Sequence, residues 1–334
     1  MNNIKYLLVL AAAMILSFSC KKDKDEESTL LSLSGELTFD YPSYARPEDS
    51  FTFIPSKVTS ADGTNVGYYW RVSGVTQSDT TKFIDDVDPS NDGRWSYTMP
   101  DSLATYSVIC TAYAEGHYVK SYTALITVIS GESLSGRGFT DEDEIFEDSR
   151  DGRSYRYATI GGVDWMRENL AYSGSGESYM DCDVMDDVVG RYYSHEEAVK
   201  ACPDGWRLPS ESEWASLAAS VSADGTFEPY ADFKDVAGSL MADVSVNGVT
   251  LWTYWPQVKI TNSSKLAVVP SGYATRGETA GNSFAAYADF AAIWSSDLDA
   301  GGDAYYRYIN EGSPLVYSGH APREGFLISV RCVR

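Results

Sequence analysis

The sequence is poor in basic residues: 26 lysines and arginines stand against 48 aspartates and glutamates, for a formal net charge of −22. Nucleic acid is bound by basic surfaces that neutralise its phosphates, so this composition argues against a nucleic-acid partner. It also argues against a polybasic patch that would hold the chain to an anionic membrane surface. The acidity is most simply explained as an aid to solubility.

Histidine is scarce as well, and the three histidines are His117, His195 and His320. They share no metal-ligand spacing, and no serine lies in a nucleophile-elbow motif. His195 follows a candidate helix cap and is interpreted as a solvated residue of the first helical turn. We therefore expect no catalytic residue, no cofactor and no enzyme activity, although a fold by itself does not determine function.

The apolar run near the N-terminus, residues 6–16, is too short to span a bilayer and suits the core of a signal peptide. The segment Ser17-Phe-Ser-Cys20 then looks like the cleavage site of a bacterial lipoprotein, in which the cysteine is lipidated. Ser17 stands where such sites usually carry leucine. Residues 1–19 are therefore predicted to be a lipoprotein signal peptide, and residues 20–30 a charged, disordered tether. The alternative is a secreted protein that is cut elsewhere.

The tether also bears on localisation, because its acidic end resembles the export tags that send lipoproteins to the outer face of the outer membrane. We expect a lipid-anchored outer-membrane protein exposed at the cell surface. Its membrane partner would be bound through the N-terminal lipid.

Short segments between residues 31 and 130 alternate apolar and polar residues, and turn-forming clusters separate them, as in β-strands. Six or seven strands in this length favour an immunoglobulin-like β-sandwich. Trp70 suits its core. Cys110 is expected to be a buried free thiol, because its natural partner strand has no cysteine. The tract over residues 68–116 is similar to sandwich domains of the polycystic-kidney-disease (PKD) type. The predicted strands cover residues 33–39, 51–54, 68–72, 95–99, 105–114 and 118–129.

Residues 131–148 change from a glycine- and serine-containing stretch to a strongly acidic one. This composition is typical of a solvated hinge, so we predict an acidic linker between two domains.

Two helix starts of the same kind lie within residues 190–214. Ser194 precedes Glu197 by three residues, and Ser210 precedes Glu213 by three, which is the capping-box spacing. The first helix is predicted to bury alanines and to end where a proline follows. The second helix has a predicted apolar face that consists of Trp214, Leu217, Ala218 and Val221.

Ordered sequence blocks follow one another from residue 151 to residue 333. They are Asp151-Gly152, Tyr155, Ile160-Gly161, Trp165-Met166, Glu168-Asn169-Leu170, Gly190-Arg191-Tyr192-Tyr193, CPDGWRLP at 202–209, WSS at 294–296 and SVRCV at 329–333. The pattern resembles the Fibrobacter succinogenes major paralogous domain, a family of secreted and surface lipoprotein modules. More widely it resembles the C-type-lectin-like fold.

The resemblance implies an α+β C-type-lectin-like domain over residues 149–334, and it implies no particular activity. In the lectin-like fold a cysteine that ends the first helix is bridged to one in the last strand. The resemblance therefore implies a disulfide between Cys202 and Cys332. Cys182 is then left as a lone loop thiol.

Other elements of this domain are read from local pattern. Asp151-Gly152 is predicted to turn a hairpin of strands 155–160 and 163–166. Residues 224–290 have few periodic runs and are expected to form a long irregular region. The closing strands are predicted at residues 291–296, 304–309, 314–318 and 326–333.

No metal site is expected. Residues 88–93 resemble the first half of a calcium loop, but Met99 stands where the bidentate glutamate belongs, so a polar hairpin turn is preferred. The aspartates within residues 181–187 have no loop register. Glu228-Pro229 resembles the sugar and calcium motif of true C-type lectins, but Tyr230 replaces the asparagine.

The aromatic segment at residues 251–256 is the candidate contact surface. On an extended chain Trp252 and Tyr254 share one side, and Leu251 and Trp255 share the other. We therefore take Trp252, Tyr254 and Trp255 as candidate ligand-binding residues, on which a sugar ring could stack. The alternative is that all of them are buried in the core.

The sequence as a whole favours non-catalytic binding of a glycan or a surface protein by the second domain. The first alternative is a structural or assembly component of a surface protein complex, and an enzyme on a lectin-like fold is the second. Binding of a soluble ligand by the second domain would favour the non-catalytic binding function. Co-purification of a stoichiometric partner would favour the assembly role.

Overall fold

The computed structural model describes residues 30–74, 81–84, 92–223, 225–252, 258–277 and 281–334, with the backbone alone for residues 81–84. The predicted signal peptide, the lipidation site Cys20 and the tether up to residue 29 lie outside the described residues. None of the described helices is long and apolar enough to cross a membrane.

The described chain is rich in β-strands, which form seven separate sheets, and its four α-helices are short. At this level the predicted fold class is confirmed, since strands dominate throughout and the helices lie in the C-terminal part.

The N-terminal part contains nine strands. They are β1 (Leu31–Ser32), β2 (Tyr44–Ala45), β3 (Ser50–Phe53), β4 (Gly67–Gly74), β5 (Thr81–Ile84), β6 (Trp95–Thr98), β7 (Thr105–Tyr113), β8 (His117–Tyr118) and β9 (Lys120–Val128). A five-stranded sheet has the order β2-β9-β7-β4-β5, and β3 pairs with β6 in a second sheet. A third pair, β1 with β8, is parallel.

Trp70 on β4 and Cys110 on β7 face each other in register and lie in the core, with 1% and 0% of their surface exposed. The indole N–H of Trp70 donates to the Gly93 carbonyl oxygen at 2.8 Å. Burial raises the pKa of the Cys110 thiol to about 12, so the unreactive thiol form dominates at neutral pH. The structure confirms both the core tryptophan and the buried free cysteine.

Residues 33–39 do not form the predicted strand, although their apolar side chains are buried. The Thr38 N–H donates to the Ser56 hydroxyl at 2.8 Å, and the Thr38 carbonyl accepts from the Ser56 N–H at 2.7 Å. The Ser56 side chain thus replaces part of the backbone hydrogen bonding of a regular strand. Alternation of apolar residues in the sequence does not indicate such a replacement.

The C-terminal part contains all four helices and twelve strands. They are β10 (Leu134–Ser135), β11 (Glu144–Glu147), β12 (Ser154–Ile160), β13 (Val163–Met166), α1 (Asp186–Val189), α2 (His195–Ala201), α3 (Glu211–Val221), α4 (Ala237–Leu240), β14 (Ser245–Val246), β15 (Val249–Thr250), β16 (Tyr273–Thr275), β17 (Ser283–Ala285), β18 (Phe290–Leu298), β19 (Ala304–Asn310), β20 (Tyr317–Ala321) and β21 (Phe326–Leu327). The sheets are β10-β14-β15, β11-β12-β13, β17-β16-β21 and β18-β19-β20.

The prediction of a solvated linker at residues 131–148 is wrong. Strand β10 pairs with β14, and β11 pairs with β12, so both strands of this segment belong to sheets of the C-terminal part. Asp148 is 1% exposed and binds Arg150 at 2.7 Å, while Asp143 forms an ion pair with the buried Arg167. Asp143 and Asp148 are thus paired with arginines of the folded domain, whereas the other acidic residues between positions 141 and 147 are exposed, namely Asp141, Glu142, Glu144 and Glu147.

Strand β11 also changes the predicted hairpin assignment. Asp151-Gly152 lies in the turn between β11 and β12, and the predicted hairpin of β12 and β13 turns at Gly161-Gly162.

Helices α2 and α3 begin as predicted. Both capping boxes are complete, with Ser194 accepting from the Glu197 N–H and Ser210 accepting from the Glu213 N–H. The buried face of α3 includes Trp214, whose ring packs 4.7 Å from that of Trp165.

The disulfide between Cys202 and Cys332 is present, with Cα atoms 5.8 Å apart. It joins the end of α2 to the last segment of the chain, across a sequence separation of 130 residues.

The two parts touch through contacts that the sequence did not predict. The ring of Tyr44 lies 5.9 Å from that of Tyr179, and Arg46 forms an ion pair with Asp183 at 2.8 Å. Cys182, expected as a loop thiol, is only 9% exposed, and its Sγ lies 3.8 Å from the Tyr44 carbonyl oxygen. It is a free cysteine buried at this junction.

Candidate ligand cavity

Sequence blocks that lie far apart along the chain meet at Asn169, which follows β13. Its side-chain amide donates to the Val189 carbonyl at 2.7 Å and to the Ser329 hydroxyl at 3.1 Å. Its Oδ1 accepts from Arg331 Nε at 2.7 Å. Gly190 packs against it so closely that a Cβ there would lie 2.5 Å from the Asn169 Cβ. The ordered sequence blocks that contain Asn169, Gly190 and Arg331 therefore meet in one internal network.

Arg331 is fully buried and lies beneath an irregular loop. Its guanidinium donates to the carbonyl oxygens of Leu266 and Ala267, the latter at 3.0 Å. Burial lowers the pKa of Arg331 to about 9, and the nearby carboxylate of Glu168 opposes this shift. Arg331 is thus a buried cation whose hydrogen bonds all go to neutral oxygens, with one carboxylate acting on it from beyond hydrogen-bond distance.

Arg167 supports the same loop, since its Nε donates to the Lys265 carbonyl at 2.6 Å. Lys265 and Ala267 both have positive φ angles, 66° and 57°. The two buried arginines therefore stabilise a backbone conformation that L-residues rarely adopt.

A cavity of about 220 Å³ opens beside this network. Arginines and carboxylates that precede β11 and β12, follow β13 or lie in α1 line it, together with the network residues. The charged residues of the lining are Arg137, Arg153, Arg167, Arg331, Glu168, Asp186 and Asp187.

The four arginines of the lining differ in how well they are paired. Arg153 binds Asp187 at 2.7 Å, and Arg167 pairs with Asp143, which lies outside the lining. Arg137 has one weak contact, from its Nη1 to Glu168 Oε1 at 3.4 Å.

Burial lowers the pKa of Arg137, whose guanidinium also lies 4.3 Å from the centre of the Phe139 ring. Within the described part of the chain its Nε and Nη2 atoms have no hydrogen-bond partner. The cavity therefore presents unused guanidinium donors.

Three of the four aspartates within residues 181–187 are ion-paired, namely Asp183, Asp186 and Asp187. Asp186 is 4% exposed and binds Arg191 at 2.8 Å. Burial nevertheless raises its pKa above the usual range.

The predicted ligand surface at residues 251–256 is not supported for Trp252. This residue is 2% exposed and belongs to the main core of the C-terminal part, so its ring cannot stack on a sugar. For Trp252 the alternative prediction, burial in the core, is correct. A large apolar ring stabilises the folded protein when it is packed in the core. Tyr254 and Trp255 lie outside the described residues.

His195 is also different from its prediction as a solvated residue. It is 2% exposed, its Nε2 lies 3.0 Å from the Ser295 carbonyl oxygen, and its ring packs edge-on to Trp294. The first turn of α2 faces β18, which a cap motif alone does not indicate.

One further group of potential metal ligands occurs among the described residues, at the end of the β18–β19 hairpin. His320 Nδ1 lies 3.5 Å from Asp299 Oδ2 and 3.6 Å from Asp303 Oδ2. Asp299 Oδ1 accepts from the Gly301 and Asp303 N–H groups. An ion pair on a closed turn describes this cluster adequately. The predicted calcium-like loop at residues 88–93 lies mostly outside the described residues.

Sequence reasoning did not identify the arginines of the cavity. The sequence did contain one indication of them: Arg153, Arg167 and Arg331 each lie in or beside one of the ordered blocks. It could not be recognised without knowing that these blocks converge in space.

The family model of the Fibrobacter succinogenes major domain (Fib_succ_major) matches residues 158–334. The match includes the Asn169 network and most of the cavity lining. Comparison with curated proteins and with solved structures gives no significant match.

Proposed function

Because the chain belongs to the Fibrobacter succinogenes major domain family, we propose that it is a lipid-anchored outer-membrane protein whose C-terminal domain binds a glycan or a surface protein without converting it. In this proposal residues 31–130 form an immunoglobulin- or PKD-like spacer, and residues 149–334 form a C-type-lectin-like module. The core Trp70 supports the first assignment, and the bridge from α2 to the last segment supports the second.

The observation that carries the proposal is the arginine-lined cavity. The Arg137 side chain is 19% exposed, and its Nε and Nη2 have no partner among the described residues, so these donors are available to a ligand. Concave sites with a few convergent polar groups are where proteins bind small ligands or protruding groups. Most of the cavity lining lies within the matched residues and next to the hydrogen-bonded network, whereas Gly131, Arg137 and Arg153 precede the matched residues.

Gly131 offers a way to block this cavity. It lines the cavity, its φ angle is not positive, and no atom lies within 4 Å of the position that a Cβ would occupy. Gly131→Trp should therefore place a large ring at the cavity without disturbing the core. Glu132→Trp, at the exposed neighbouring residue outside the lining, is the matched control.

The test applies the full chain after residue 20 to arrays of glycans and of purified envelope proteins. We expect binding by the wild type and by Glu132→Trp, and loss of at least about tenfold in affinity for Gly131→Trp. Equal binding by the two tryptophan variants, or no binding by the wild type, would contradict the proposal. Protease treatment of intact cells, which should release the domain, tests the surface location.

An assembly role is the second candidate, and one feature favours it. Tyr69, Tyr113 and Leu125 lie on the outer face of the five-stranded sheet and are 44%, 37% and 53% exposed. Tyr69 and Tyr113 are neighbours, with ring centres 6.0 Å apart, and Leu125 lies four residues further along the strands. Exposed apolar residues on one sheet face are common at protein interfaces. Co-purification of a stoichiometric partner that Leu125→Lys abolishes and Gly131→Trp leaves intact would favour assembly over ligand binding.

A further inference from the structure

We infer that the arginine-lined cavity binds an oxyanion, the group that a uronic acid carries as a carboxylate and a modified sugar carries as a sulfate or phosphate ester. The inference rests on the proposed binding function and specifies the class of its ligand.

The first argument is charge. The lining contains four arginines and three carboxylates, although the whole chain has a net charge of −22. Asp186 is paired with Arg191 outside the lining, and Arg167 is likewise paired with Asp143 outside it. Arg153 also lies 4.0 Å from Asp151, so the outside partners leave the balance at about one positive charge. Glu168 is shared between Arg137 and Arg156, at 3.4 and 3.9 Å. The cavity therefore has an excess of positive charge within an acidic protein.

The second argument is desolvation of that charge. Arg331 is 0% exposed, and within the described residues it is bound only by carbonyl and amide oxygens. Glu168, which also contacts Arg137 and Arg156, is the carboxylate that favours the charged form of this buried arginine. An anion at the cavity would add to this compensation over a short distance in a medium of low polarity. The natural occupant is therefore negatively charged.

The third argument is geometry. A guanidinium presents its N–H groups in a planar fork that matches two oxygens of one carboxylate, sulfate or phosphate. Arg137 has its Nε and Nη2 donors unused in the described part of the chain. Arg153 uses only Nη1 for a hydrogen bond, to Asp187. Two partly occupied forks at one cavity can thus bind a single oxyanion.

The fourth argument is size. The cavity volume of about 220 Å³ lies below the range of roughly 300–1,000 Å³ found for drug-sized ligands. It suits one charged substituent or one sugar unit better than an extended chain. The rest of a larger ligand would remain outside.

The experiment is calorimetric titration of the full chain after residue 20, at low ionic strength, with glucuronate, glucose 6-sulfate, glucose 6-phosphate and neutral glucose. We expect at least one anionic sugar to bind and glucose to be at least about tenfold weaker. Inorganic sulfate and phosphate are titrated in parallel, because they show whether the sugar contributes. Binding should weaken as sodium chloride is added.

Arg137→Gln is the diagnostic variant, since it removes the fork and keeps a polar side chain of similar length. Arg276→Gln is the matched control: this arginine is 40% exposed, pairs with Glu197 at 3.0 Å and lies outside the lining. We expect the affinity for the anion to fall at least about tenfold in Arg137→Gln and to be unchanged in Arg276→Gln. Thermal melting of both variants establishes that they are folded.

Three outcomes would overturn the inference: no anion binds, glucose binds as tightly as the charged sugars, or Arg137→Gln binds like the wild type. These outcomes are separable from failure of the proposed function. If an array ligand is lost in Gly131→Trp but none of the anions binds, the cavity is a binding site of another chemistry. If neither assay detects binding, both proposals are wrong.

Discussion

The buried ion pair between Glu211 and Arg307 allows a sharp test of how the C-terminal domain is held together. Glu211 is the first residue of α3 and Arg307 lies on β19, with 0% and 1% of their side chains exposed. Arg307 Nε donates to Glu211 Oε1 at 3.2 Å, and its Nη2 bonds to Glu211 Oε2. The Tyr230 N–H also donates to Glu211 Oε2, at 3.1 Å.

Glu211→Gln would leave the Arg307 charge buried without a counter-ion. Removal of one member of a buried pair typically costs about 3–5 kcal/mol. For a domain of this size each kcal/mol corresponds to about 2–4 °C in Tm, so we expect the melting temperature of the C-terminal domain to fall by about 6–20 °C. Arg307→Met should cost a similar amount, because it leaves the carboxylate unpaired.

The double variant Glu211→Gln/Arg307→Met removes both charges. Since the two side chains share one interaction, its loss of stability should be smaller than the sum of the single losses by about 1–3 kcal/mol. Urea unfolding, followed by circular dichroism and tryptophan fluorescence, measures the stability of all three variants. The N-terminal part, which these changes do not touch, is an internal control.

Strict additivity, or a single variant that loses less than about 1 kcal/mol, would refute the reasoning. Either result would mean that water reaches the pair, and that its charges are not desolvated.

The remaining predictions concern the disulfide, the core and pH. Reduction of Cys202–Cys332, or Cys202→Ser, should lower the unfolding free energy by about 4–5 kcal/mol from loop entropy, and equal Tm values with and without dithiothreitol would contradict this. Trp252→Ala should cost about 3–5 kcal/mol of stability, seen as a lower Tm, and an unchanged Tm would place the ring outside the core. Cys110 should react with iodoacetamide only after urea unfolding, and labelling of the native protein would show that the strands open. Hydrogen bonds from Arg207 lower the pKa of Glu213 to about 2, so its stabilising effect is complete above pH 4.5 and is lost as the pH falls towards 2. Glu213→Gln should flatten the stability profile in that window, whereas a profile identical to the wild type would exclude this carboxylate as the cause.

Features set by neighbours along the chain were readable from the sequence alone. The capping boxes at Ser194 and Ser210 need only residues three apart, so their spacing predicted both helix starts. Alternation predicted most strands of the N-terminal part for the same local reason, whereas the burial of Trp70 was inferred from the sandwich fold that these strands favoured. The disulfide came from resemblance to a family, which already contains the tertiary information that spacing lacks.

Features that depend on distant partners were decided by the tertiary structure. The acidic composition of residues 131–148 indicated solvent, because a charged residue is solvated unless a counter-charge is brought to it. Arg167 supplies that counter-charge to Asp143, from 24 residues further along the chain. Likewise Arg137 and Arg331 are 194 residues apart in the sequence and meet at one cavity. The sequence determines the sign and position of each charge along the chain. Whether that charge is paired, buried or available to a ligand depends on which segments the fold brings together.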